Sequence, residues 1–63
     1  MQSSIIIDHN GIFLGVAVQQ SGAYRFVATH LRVEDLDASQ WPNLQRLRQA
    51  VSRLFLTGSL APA

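Results

Sequence analysis

Sixty-three residues with no cysteine, 48% of them hydrophobic and 14% charged, leave room for one domain and one core, with no disulfide or thiolate zinc site to staple it. A net charge of +1, five arginines against four carboxylates, excludes a strongly cationic phosphate-backbone binder. No apolar run approaches the roughly 20 residues of a membrane span, and the first ten residues hold no Lys or Arg of the kind that opens a secretory leader, so a cytoplasmic, non-membrane protein is expected.

The chain reads as a strand half followed by a helix half. β-branched and aromatic residues in short runs predict strands over about 4–9, 12–19 and 23–32. Asn10-Gly11 has the composition of a two-residue hairpin turn, which needs positive φ at both central positions. It sets Ile7 opposite Leu14 and Ile5 opposite Val16. A second turn at Ser21-Gly22 sets Val18 opposite Arg25 and Val16 opposite Val27.

Alternation then sorts side chains onto two faces. An aliphatic face collects Ile5, Ile7, Leu14, Val16, Val18, Val27 and Leu31; the other collects Ile6, Phe13, Gly15, Ala17, Tyr24, Phe26 and Ala28. Both are apolar, so the sheet needs two covers.

Residues 34–38 connect to an amphipathic helix over about 40–56, in which Leu44, Leu47, Val51, Leu54 and Phe55 recur at helical spacing. Ser39 is the expected cap, with Pro42 in the first turn, and Gly58 stops the helix before a flexible tail over 58–63. The expected fold is α+β: a single small domain, 1–63, with a three-stranded antiparallel β-meander and one C-terminal amphipathic helix packed on the aliphatic face (β-β-β-α). The β-β-β-α order from Ile5 to Leu56 resembles the compact half-domains of HicB-type antitoxins, which would imply an inhibitor of a small toxin. That family's cysteine-containing strand and acidic-alanine helix start have no counterpart here, so the resemblance is one of element order.

If one helix covers the aliphatic face, the aromatic face is left for a second copy of the chain. Phe13, Gly15, Ala17, Tyr24, Phe26 and Ala28 are the expected self-association residues, the small ones forming a shallow strip between aromatics. Trp41, Arg46, Arg48 and Arg53 are the expected contacts to a second protein, because Trp and Arg are enriched among binding anchors. Nucleic acid is the alternative partner, contacted through the arginine-bearing helix.

Catalysis finds little support. Asp8, Phe13 and His30 are expected in one row across the aromatic face, with two strand spacings between the carboxylate and the imidazole. The acidic run of Glu34, Asp35 and Asp37 lacks the alternating ligands and central glycine of a calcium loop. No phosphate loop, nucleophile elbow or paired-histidine motif occurs. The chain is therefore expected to be a non-catalytic interaction module without cofactor or metal.

Overall fold

A computed structural model describes residues 3–58. Strands β1 (Ser3–His9), β2 (Ile12–Gln20) and β3 (Ala23–Ala28) form an antiparallel meander, followed by a 3-10 helix (Leu31–Leu36), a two-residue strand β4 (Gln40–Trp41) and helix α1 (Leu44–Thr57). The sheet order is β1-β2-β3-β4, so the expected meander and helix are present with a short fourth strand added. The tail expected after Gly58 lies outside the described residues.

Both hairpins turn as their residues dictate. Asn10 and Gly11 have φ of 50° and 83°, Ser21 and Gly22 of 50° and 78°, the double positive φ that matches strand twist in a two-residue loop. The Asp8 carboxylate tightens the first turn by accepting from the Gly11 N–H at 3.2 Å. The second hairpin has the expected register, with Val16 opposite Val27 and Val18 opposite Arg25.

The first hairpin does not. Asp8 faces Phe13, but Ile7 faces Gly15 and Ile5 faces Ala17, because the register shifts between Ile7 and Asp8 and leaves Leu14 as the extra residue of a β-bulge. A one-residue slip reverses the face of everything beyond it. Ile5 and Ile7 therefore leave the aliphatic face and join Gly15, Ala17, Tyr24, Phe26 and Ala28. That addition makes the aromatic face the bulkier apolar surface, and α1 packs there.

The side of the sheet that carries the core is thus the opposite of the expected one. Ile7, Leu14, Ala17 and Phe26 from the sheet, Val33 and Leu36 from the 3-10 helix, and Leu47, Val51 and Leu54 from α1 form one buried cluster. Of the expected self-association residues, Gly15, Ala17 and Phe26 are buried inside it, and Tyr24 and Ala28 are half-buried. Only Phe13 is open, at 47% exposure. The uncovered face instead carries Ile6, Val16, Val18 and Val27, with Ile6 64% exposed.

β3 ends at Ala28 rather than near residue 32. The N–H groups of Thr29 and His30 both turn back to the Leu14 carbonyl, at 3.0 and 3.2 Å. The His30 Nδ1 accepts from the Arg32 N–H at 3.1 Å and caps the 3-10 helix. Leu31, expected on the sheet face, is 77% exposed in consequence.

The chain then returns along the outer edge of β3. Phe26 donates its N–H to the Ser39 carbonyl and accepts from the Ala38 N–H, both at 2.8 Å, and the Asp37 carboxylate takes the Ala28 N–H at 2.9 Å. Pairing of Tyr24 with Trp41 and Arg25 with Gln40 completes that edge. Asp37 is therefore a sheet ligand, which accounts for part of the acidic run.

α1 starts two residues after β4. Asn43, not Ser39, is its cap: the Asn43 side-chain oxygen accepts from the Arg46 N–H at 2.8 Å. Pro42 precedes the cap. Gly58, in the left-handed region at φ 72°, closes the helix through its N–H to the Leu54 carbonyl.

Candidate functional site

Three of the four residues singled out as partner contacts come together in one cleft between β4 and α1. Its lining is Leu36, Trp41, Arg46, Gln49, Ala50 and Arg53, and its volume is about 430 Å³, within the range of ligand-sized clefts.

The cleft follows from local sequence. Arg46, Gln49, Ala50 and Arg53 stand at i, i+3, i+4 and i+7, so they form one stripe along the helix. Ala50 is short enough to leave a depression between the long side chains on either side. Trp41 forms the opposing wall because β4 pairs it with Tyr24 at the sheet edge. The indole Nε1 donates to the Ser39 hydroxyl at 2.8 Å, and that hydroxyl donates to the Leu36 carbonyl. This chain of two hydrogen bonds fixes the half-buried ring and meets its polar atom, leaving the ring edge free to line the cleft. Trp41 is thus anchored through Ser39 and lines an open surface at the same time.

The electrostatics are one-sided. Arg46 and Arg53 lie seven residues apart, about 10.5 Å along a helix axis. Among the described residues neither guanidinium has an ion-pair partner. Gln49 places an amide between them. Two uncommitted cations flanking an apolar patch suit an anionic ligand with an apolar group at its middle. Arg48, the fourth expected contact, is exposed and does not line the cleft.

Asp8 is spent on the Gly11 N–H and His30 on the Arg32 N–H. Asp8 does face Phe13 as expected, but the early end of β3 takes His30 out of the row. Instead His9 and His30 both pack on Phe55, with ring centroids at 5.9 and 5.4 Å, and the Arg32 guanidinium lies 5.3 Å from the same ring. Among the described residues no three potential metal ligands cluster, and no helix is long and apolar enough to cross a membrane.

Sequence reasoning missed Gln49, Ala50 and Leu36. The helical stripe that contains Arg46 and Arg53 also passes through Gln49 and Ala50, so those two were available from spacing. Leu36 was not, because its position depends on the 3-10 helix. No protein-family model, curated protein or solved structure matches the chain, so no relative extends the HicB-type resemblance beyond element order.

Proposed function

We propose that this chain is a small non-catalytic interaction module that docks an acidic segment of another protein in the cleft between β4 and α1. The observation that carries the reading is the convergence of Trp41, Arg46 and Arg53 on one surface, with both guanidinium groups free of carboxylates among the described residues. An extended strand rises about 3.4 Å per residue. Carboxylates four residues apart share one face of such a strand and stand about 14 Å apart, within reach of two flexible guanidinium groups on stems about 10.5 Å apart, and an apolar side chain midway between them on the same face would meet Trp41, Ala50 and Leu36.

Trp41 is the only tryptophan, so its fluorescence reports on the cleft directly. Titration with a short peptide bearing two carboxylates around a leucine should give a saturable change that weakens with added salt. Arg46→Ala and Arg53→Ala, both at exposed positions, should each weaken binding about twofold to fivefold, as expected for exposed ion pairs. Equal binding of the same peptide with both acids replaced by glutamine would refute the acidic-segment reading.

An indole beside two guanidinium groups also suits a nucleobase and its phosphates. A single-stranded oligonucleotide in the same titration tests that second reading. Its binding should fall steeply with salt through counterion release, and an unchanged Trp41 signal at low salt would remove it.

A further inference from the structure

We propose that β1 is a self-pairing edge: two copies of the chain join antiparallel through their β1 strands, continuing one sheet across a twofold axis. The inference is independent of the cleft.

The two edges of the sheet are treated very differently. On the β3 side the chain returns to satisfy the edge, through Ala38, Ser39 and Asp37 and the short strand β4. On the other side β1 is the outermost strand, seven residues long, with no described strand beyond it. Exposed edges are normally blunted by charge, proline, a bulge or shortness. β1 has none of these from Ser3 to Ile7: the segment is Ser-Ser-Ile-Ile-Ile, and the bulge of this hairpin sits on β2. A row of unpaired backbone donors and acceptors flanked by isoleucine is a template for another strand.

The segment is also complementary to itself. With the twofold axis at Ile5, Ser4 pairs with Ile6 of the second copy, and no like charges meet across the pair. Asp8, the one carboxylate of β1, lies three residues from the axis, so the two copies of it stand about 20 Å apart at 3.4 Å per residue. Ile5, half-buried at the open end of the core, then meets its own copy, and the exposed Ile6 gains a neighbour. The pairing is isologous and uses the one long strand edge left open among the described residues, so it closes at two.

Light scattering on a sizing column, over a range of concentrations, tests this. The wild-type chain should reach about 14 kDa, twice its 7.0 kDa. Ile6→Lys and Ser4→Lys, both at exposed positions of β1, should return the mass to 7.0 kDa with the circular dichroism of the fold unchanged. Val27→Lys lies on the same face but two strands away, about 10 Å, and should remain dimeric. Dissociation by Val27→Lys would mean that the uncovered faces stack instead, and would overturn edge pairing. A wild-type mass of 7.0 kDa at every concentration, or a species growing beyond two copies, would overturn it as well.

Discussion

At Gly15 the sheet is closed to any larger residue. An added Cβ would lie 2.6 Å from both Cε1 and Cζ of Phe26, and it would also meet the Val27 carbonyl oxygen. The ring can shift only into a filled core, since Phe26 is fully buried, and the carbonyl belongs to the paired backbone of β3. Gly15→Ala should therefore cost about 1–3 kcal/mol as overpacking, even though alanine restricts the unfolded chain favourably. For 63 residues, total stability on the order of 3–9 kcal/mol makes that a large fraction. The urea midpoint should drop clearly; an unchanged midpoint would show that Phe26 does not rest on Gly15. In the sequence Gly15, Ala17 and Ala28 look like a strip for an incoming partner. Gly15 does receive an aromatic ring, but it is that of Phe26 on the next strand of the same sheet.

At the scale of the elements, the amphipathic stripe of α1 was legible because Leu47, Val51 and Leu54 keep one period throughout. Its cap was less so. Ser39, Asn43 and Pro42 all suit a helix start, and only the return of the chain along β3 decides among them, by committing the Ser39 hydroxyl to Trp41 and Leu36. Asn43→Ala should lower stability by about 1 kcal/mol through the lost bond to the Arg46 N–H, whereas a capping role for Ser39 predicts no loss at Asn43. A thermal melt of the variant separates the two. The covered face of the sheet was not legible. With both faces apolar, the choice turned on one extra residue at Leu14, and nothing in the alternation of Phe13, Leu14, Gly15 and Val16 marks a bulge there. The second hairpin, without a bulge, came out in the expected register. The cleft was half legible for a related reason: helical spacing gathers Arg46 and Arg53, but only tertiary packing brings Trp41 to them.

For the whole molecule, the layout places the proposed docking cleft beside β4 and the proposed pairing edge at β1, three strand spacings away across the sheet. A chain of this size hides only about 60% of its unfolded surface, and among the described residues a single helix and a 3-10 turn cover one face of the sheet and nothing covers the other. Anything that binds the folded chain and not the unfolded one then adds a visible share of its stability. When unfolding is coupled to dissociation of a pair, each tenfold rise in concentration adds about 1.4 kcal/mol per pair, or about 0.7 kcal/mol per chain. For a domain this small that corresponds to roughly 3–6 °C in the thermal midpoint. The midpoint of the wild-type chain should therefore climb with concentration, and that of Ile6→Lys should not. Substitution at Arg46 or Arg53, remote from β1, should leave the climb intact. A wild-type midpoint that stays fixed over a hundredfold range would mean that the one-sided core sustains the fold unaided and that β1 remains unpaired.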